Sequence, residues 1–490
     1  MIEQESKKQI LKSTGILGSA QLFIVLIGVV RVKVLAVLLG ATGVGIAGLY
    51  QTTIDMVRTA TGLGINYSAV KDIAASAASN DEKKVAATIV VLRKWMWATG
   101  LLGMLVAIVF SRQLSQMAFG DTSHSVGITI LSVSLLLSAV ASGQSALLQG
   151  LRKIGAMAKA NVLGAALGLL GAVVIFYIWG LQGIVPALLV TYISTLVINW
   201  YFSRQIKTVP VQLSPAEVFQ KGKGMVTLGF FMIIASLFGT GTMYLVRSFV
   251  SQQGGLESVG HFVAAWTISS MYISAIFGAM GADFFPRLSG MHHDGVAITK
   301  LVNEQTEVAI LITAPIIIGM VSFIDVVVRI FYSKDFGPTA GILDWQLTGD
   351  FFKVLAWPMG FIMLVKGKGK LFIATEICWN LLFCLGVYFG WKFYGIQVTG
   401  IAFLIAYLLY VVILYVLARN MVQFTWSVKV RNFILLFLPL LSLSFLNVKF
   451  LEQPMQYISS IILTSIAFGF SIYQLKEMIS LKQFFIKTGN

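Results

Sequence analysis

LIGVVRVKVLAVLLG, residues 26–40, is apolar apart from Arg31 and Lys33. Crossing a bilayer takes about 20 apolar residues, and the run from 16 to 39 is long enough. A charge at that depth costs roughly 2.5–3.5 kcal/mol on insertion scales. The segment is a membrane span with two cations in it, and intramembrane cations mark either neutralising pairs or a ligand path.

The same composition continues along the chain. Of 490 residues, 57% are hydrophobic and only 11% are charged, against about 25% charged in an ordinary soluble chain. The fold class is an all-α polytopic membrane protein. The net charge of +16 would point to nucleic acid in a soluble protein. In a membrane protein it follows from the accumulation of cations in cytoplasmic loops, so no nucleic-acid partner is expected. The two cysteines, Cys378 and Cys384, lie in an apolar segment without the set of His and acidic neighbours that a metal site needs, and two cysteines make no disulfide framework. The polar start, MIEQESKKQILKSTG, lacks a small-residue cleavage site and is read as a retained cytoplasmic tail.

Hydropathy divides the chain into about fourteen spans, near 16–39, 43–66, 88–110, 126–149, 156–179, 183–203, 224–249, 261–285, 305–331, 340–364, 371–391, 397–418, 432–448 and 457–475. The charges test that division. With the N-terminus in the cytoplasm, 26 of the 36 Lys and Arg residues fall on the cytoplasmic side and only Arg112, Lys334, Lys392 and Lys449 fall outside. That asymmetry predicts both termini inside. Six cations remain within spans: Arg31, Lys33, Arg58, Arg247, Arg329 and Lys353. The connection 204–223, with its VPVQLSP, divides two bundles. A faint internal echo supports the division: Arg31 is followed by Val44-Gly45 and Tyr50, and Arg247 by Val259-Gly260 and Trp266. Internal repeats are common in transporters.

Asp55–Arg58, Asp350–Lys353 and Asp325–Arg329 stand three or four residues apart, a spacing that places both side chains on one helix face. Arg31, Arg247 and Lys33 have no such local acid. Arg31 and Arg247 are therefore expected to face a water-filled cavity, where an arginine fork suits phosphate oxygens. Lys33 lies about 200° from Arg31 around the helix and is expected to snorkel to the interface. Polar side chains gather in the same spans, among them Tyr50, Gln51, Thr52, Asn66 and Tyr67, then Gln144, then Tyr244. They suit a sugar, and they also suit helix packing. Candidate binding residues are Arg31, Arg58, Arg247, Lys353, Tyr50, Gln51, Gln144 and Tyr244. Candidate ion-coupling acids are Asp55, Asp283, Asp350 and Glu376; Asp283 also stands one turn from Arg287, which suits a structural pair instead. The run Lys366-Gly-Lys-Gly-Lys370 is read first as cytoplasmic retention, with lipid phosphates as the alternative partner. No phosphate loop, nucleophile elbow or HExxH motif occurs, so the chain is expected to be neither an enzyme nor a cofactor carrier.

RVKVLAVLLGATGVGIAGLYQ (31–51), LLQGLRKIGAMAKANVLGAALG (147–168) and MGADFFPRLSG (280–290) resemble the polysaccharide flippases of the MOP exporter superfamily, most closely the O-antigen translocases of the Wzx type. The resemblance runs along most of the chain. It implies two six-helix bundles in pseudo-twofold relation around a central cavity, over 1–207 and 208–420, with an extra C-terminal helix pair over 421–490. That pair departs from the usual twelve-helix plan and resembles the lipid II flippases of the same superfamily. The implied cargo is an undecaprenyl-pyrophosphate-linked oligosaccharide, moved from the inner to the outer leaflet of the bacterial plasma membrane by alternating access. Polysaccharide polymerase and chain-length machinery would be partners, together with membrane lipids. Arg31, Arg58 and Arg247 match the places where these flippases carry cavity arginines. The alternative is an exporter of drugs or of another lipid-linked precursor in the same superfamily; a cationic drug needs buried acid, and the first span carries Arg and Lys instead.

Overall fold

The computed structural model describes the backbone of residues 2–488 except 80, 207 and 292. It describes side chains over 19–478 except those of 22, 67, 80, 207, 227–232, 235, 279, 282 and 292. Tyr67 lies outside the described side chains. Fifteen α-helices account for nearly all of the described chain. They are α1 (Ile2–Thr61), α2 (Ile65–Ala78), α3 (Glu82–Val109), α4 (Ser111–Phe119), α5 (Ser125–Gly150), α6 (Ile154–Trp179), α7 (Ile184–Ser203) and α8 (Pro215–Ser289). Then come α9 (Gly295–Ser322), α10 (Ile324–Phe331), α11 (Gly337–Val365), α12 (Gly369–Tyr394), α13 (Val398–Val422), α14 (Val428–Phe450) and α15 (Met455–Thr488). Helices suit these sequences because a segment in lipid must satisfy its own backbone N–H and C=O groups.

Among the described residues ten stretches are long and apolar enough to cross a membrane, and the chain is a multi-pass membrane protein. Four of the ten, Ser19–Thr61, Ile154–Ser203, Ser236–Gly278 and Gly369–Val422, run to 43–54 residues, about twice what one crossing requires. Each carries a break near its middle. In α1 it is Gly40, at φ 65° and ψ −168°; in α8 it is Gly255, at φ 76° and ψ 175°. This region of backbone space is essentially restricted to glycine. In the other two the break is a 3-10 turn opening at Gly180 and at Gly395.

These breaks reveal a repeat far clearer than the sequence echo. Gly40 and Gly255, Gly180 and Gly395, and Arg152 and Gly367 are three pairs of positive-φ residues, each separated by 215 residues. Lys153 and Lys368, one position on, share their dihedrals and each donates its N–H to a carbonyl five residues back, Leu148 O or Met363 O, at 2.8 Å. Two earlier helices, one in each half, also begin alike. Asp81 caps α3 through the N–H groups of Lys83 and Lys84, and Asp294 caps α9 through those of Val296 and Ala297. One chain path is used twice.

By its contacts the chain divides into residues 1–263 with 331–333, and residues 264–330 with 334–490. In the first unit α3 packs on α5, α5 on α7, α7 on α6 and α6 on α1. The start of α8 is held to this unit by Trp95, whose Nε1 donates to the Val218 carbonyl at 3.0 Å and whose ring stacks on Phe219. Val218 and Met225 complete an apolar cluster with Ile65, Ile73, Ile89 and Leu92. In the second unit α9 is the hub, packed against α11, α14 and α15. Polar side chains fix the C-terminal pair there. Asn303 donates to the Thr425 carbonyl and accepts from the Ser427 N–H, Ser427 Oγ donates to Glu307, and Ser460 Oγ donates to the Ser322 carbonyl.

Within the first unit the two repeat-related Val-Gly pairs meet. A Cβ on Gly45 would overlap the Leu256 carbonyl oxygen, and a Cβ on Gly260 would overlap the Ala41 carbonyl. Two helices touch there backbone to backbone, as small residues allow. Gly45→Ala is therefore expected to destabilise the protein by about 1–3 kcal/mol through overpacking, whereas Gly28→Ala, with open space around it, is expected to be neutral or slightly stabilising. Thermal unfolding of the two purified variants in detergent separates them.

Candidate functional site

Beyond the break at Gly40, α1 meets α7 through Gln51 and α8 through Gly45, Gly48 and Thr52. Arg247 on α8 reaches the facing helix, donating to the Gly48 carbonyl at 3.1 Å and to Thr52 Oγ1. Its Nε is sealed from solvent without a partner. One turn along the same helix, Gln51 donates to Asp55 at 3.1 Å and to the Tyr192 hydroxyl of α7 at 2.9 Å. Arg58 pairs with Asp55 at 2.8 Å, as the spacing predicted. Tyr192 lies within electrostatic reach of Arg31, Asp55 and Arg58, and Arg247 within reach of Asp55.

Five of the sequence candidates, Arg31, Gln51, Asp55, Arg58 and Arg247, thus converge on one place. Arg58 and Arg247 share the Asp55 carboxylate and Arg31 stands within electrostatic reach of Tyr192, so the cluster keeps a surplus of positive charge. Among the described residues Arg31 has no hydrogen bond or ion pair, leaving its donor fork free. Arg58 also lines a cavity of about 310 Å³ with Thr59, Asn66, Thr99, Ser142 and Ser236, so the cluster opens onto a polar space. Tyr192 was not singled out by sequence reasoning; its one signal is a lone tyrosine in the apolar, β-branched run VTYIST.

The other candidates lie elsewhere. Tyr50 is buried, and its hydroxyl meets His124 Nδ1 at 2.9 Å, while the His124 ring stacks on Phe119. Tyr244 is also buried and donates to the Leu114 carbonyl at 3.3 Å. Both hold the short helix α4 and its following turn. Gln144 lines a separate cavity with Arg93 and Arg204. Asp283 is exposed and pairs with Arg287 at 3.1 Å. Lys33 does not snorkel: its ammonium donates to the Tyr332 carbonyl, which belongs to the same unit.

Lys353, Asp350 and Glu376 form a second polar cluster, in the second unit. Asp350 is fully buried and accepts from Ser269 at 2.8 Å and Tyr272 at 2.7 Å. Glu376 accepts from Tyr410 at 2.7 Å. Lys353 stands over the Phe403 and Tyr407 rings, 5.9 and 5.7 Å from their centroids, within electrostatic reach of both acids. The i,i+3 spacing predicted a direct pair. Two hydroxyls take the carboxylate instead, and the ammonium rests on aromatic faces.

Comparison with known proteins places the chain in context. The signature of the family described as polysaccharide biosynthesis protein matches residues 10–292. The lipid III flippase of Escherichia coli (strain K12) is 22% identical over 387 residues, covering 77% of this chain and 90% of that protein. A multidrug resistance MATE family transporter of the MOP superfamily, in an inward-facing conformation, superposes with a TM-score of 0.69 at 15% identity, over 83% of this chain and 98% of the other. The lipid II flippase MurJ, in an inward closed conformation, does so with a TM-score of 0.68 at 14% identity, over 94% and 99%. The fold is that of the MOP superfamily.

The turn before α5 makes a pH-dependent prediction. Burial lowers the pKa of His124, and nearby Asp121 opposes the shift. A histidine with a depressed folded pKa binds its proton more weakly folded than unfolded, so stability falls as pH drops through its unfolded value of about 6.5. Hydrogen-exchange protection factors at residues 111–125, taken relative to the intrinsic rate at each pH, are expected to fall below that pH, and His124→Gln is expected to flatten the dependence.

Proposed function

This chain belongs to the polysaccharide biosynthesis protein family, and we propose that it flips a pyrophosphate-linked glycan lipid across the membrane. Like the flippases and transporters it resembles, it is not an enzyme. The observation that carries the reading is the gathering of Arg31, Arg58 and Arg247 around Tyr192 and the single carboxylate of Asp55. A pyrophosphate brings negative charge and several acceptor oxygens, and guanidinium forks bind such groups with charge-assisted hydrogen bonds. Arg31 and the unpartnered Arg247 Nε supply donors that the folded chain leaves unused. Asp55 holds Arg58 in place and keeps the cluster from repelling itself.

The cargo in this reading is an undecaprenyl-pyrophosphate-linked oligosaccharide of the O-antigen type, carried from the cytoplasmic to the outer leaflet of the bacterial plasma membrane. The cation asymmetry of the loops supports cytoplasmic termini and fourteen crossings, and the four broken double-length stretches accommodate that number. The paired backbone breaks at 215-residue spacing support two repeated bundles, 1–207 and 208–420, followed by the helix pair 421–490. Polar groups such as Asn66, Ser142 and Thr99 around the Arg58 cavity would meet the sugars. Polymerase and chain-length machinery would receive the product. A drug exporter is the less favoured reading, because the site in the first unit is cationic.

The second cluster is the place for coupling. Asp350 and Glu376 sit in low-dielectric surroundings with a lysine between them, an arrangement whose protonation responds to a bound cation or proton.

In liposomes loaded with fluorescent undecaprenyl-pyrophosphate oligosaccharide, the protein is expected to accelerate leaflet exchange. A hydrogen bond to a charged group contributes about 1.5–3 kcal/mol. Arg31→Ala and Arg247→Ala are therefore expected to slow exchange roughly ten- to hundredfold, with Arg31→Lys retaining part of the rate. Wild-type protein that leaves exchange at the rate of empty vesicles would refute the assignment. Asp350→Asn is expected to spare binding of the labelled lipid and to abolish the response of exchange to an imposed proton or sodium gradient.

A further inference from the structure

A second cationic cavity, of about 540 Å³, lies on a different part of the first unit. Its walls are the first half of α3, with Arg93, Met96 and Trp97, and the end of α7, with Trp200, Ser203 and Arg204. The end of α5 forms its floor, with Val140, Gly143 and Gln144. Met96 of α3 borders both this cavity and the one at Arg58, whereas α5 turns a different face to each. Ser142 faces that cavity and Gln144 this one, about 200° apart around the helix.

Three features of the groove point to a ligand. Arg93 and Arg204 stand on opposite walls and, among the described residues, neither is in an ion pair. Asp81, on the adjoining cavity that shares Ile206 and Thr208, is engaged in capping α3. At the floor, Gln144 Oε1 is buried without a hydrogen-bond partner, an expensive state for an amide. At the mouth, Trp97 and Trp200 are each 51% exposed, and the Arg204 guanidinium lies 4.8 Å from the Trp200 centroid and 4.9 Å from that of Tyr201. Exposed indole rings on a spanning helix mark the headgroup level of a bilayer. The helix ends concerned are those flanked by Arg152, Lys153 and Lys84, the cation-rich side.

We infer that this groove is a lateral binding site for the phosphate headgroup of an anionic membrane lipid. The two guanidinium groups clamp the phosphate, Gln144 bonds a headgroup hydroxyl, and the tryptophans lie against the upper chains. Two lipids carry the phosphate: a glycerophospholipid such as phosphatidylglycerol, which also brings the hydroxyl, and a prenyl pyrophosphate, which does not. The site stands whether or not the chain flips anything, because it is read from unpartnered groups outside the cluster at Arg31.

Tryptophan fluorescence tests it. The full-length protein is placed in vesicles containing phosphatidylglycerol with brominated acyl chains, and separately in vesicles with equally brominated phosphatidylcholine. Quenching by the phosphatidylglycerol is expected to be half-complete at a severalfold lower mole fraction. Trp97→Phe/Trp200→Phe is expected to remove that difference. Arg93→Gln/Arg204→Gln is expected to lose roughly fivefold in preference per arginine, and Arg93→Lys/Arg204→Lys to keep most of it, which distinguishes lost charge from lost folding. Undecaprenyl pyrophosphate added at low mole fraction relieves quenching if the prenyl lipid is the better occupant and leaves it unchanged if the glycerophospholipid is. Equal quenching by the two brominated lipids, a preference that survives the glutamine pair, or relief by millimolar inorganic phosphate overturns the proposal.

Discussion

The close crossing at Gly45 and Gly260 is the constraint on which the candidate site depends. Two helices related by the internal repeat approach until backbone meets backbone, and only a residue without Cβ permits that distance. The crossing puts Arg247, thirteen residues before Gly260, within reach of the Gly48 carbonyl and Thr52. Widening it by one methyl group would withdraw the arginine from Asp55. A steric fact at one glycine pair thereby sets an electrostatic one at the cluster.

The cluster itself obeys the economics of charge in a low dielectric. One carboxylate is held by Arg58 at 2.8 Å and by Gln51 at 3.1 Å. Two of the arginines are less completely engaged: among the described residues Arg31 has no hydrogen bond or ion pair, and Arg247 spends one nitrogen on a carbonyl and a hydroxyl. Buried charges without partners are costly unless something completes them. In the second unit the balance is reversed, with two acids, one lysine and several hydroxyls, and each acid has a hydroxyl donor. The two clusters differ in sign, which suits an anionic cargo in one and a cation or proton in the other.

Much was legible in the residue order. Apolar runs of bilayer length, separated by cation-rich connections, are enough to give helices that span, because the backbone has no other way to satisfy itself in lipid. The Asp55–Arg58 pair followed from helical spacing. The repeat was only faintly visible, as two Arg…Val-Gly…aromatic strings, because the positions that carry it are backbone conformations. Arg152 and Gly367 share a left-handed φ without sharing a side chain.

Spacing along one helix determined which residues could be neighbours in sequence, and there it stopped. It could not bring Tyr192 to Gln51, send Gln144 to a different cavity from Arg58, seat Lys33 on the Tyr332 carbonyl or take Asp350 away from Lys353. Each of those depends on which helix lies opposite and how closely. The multi-pass helical class, the charge asymmetry and the intramembrane cations were determined by the sequence alone, since they express the bilayer's thickness and its aversion to charge. Which cations meet, and which stay without a partner, was decided by the tertiary structure, because it is set by glycine contacts between helices far apart in the chain.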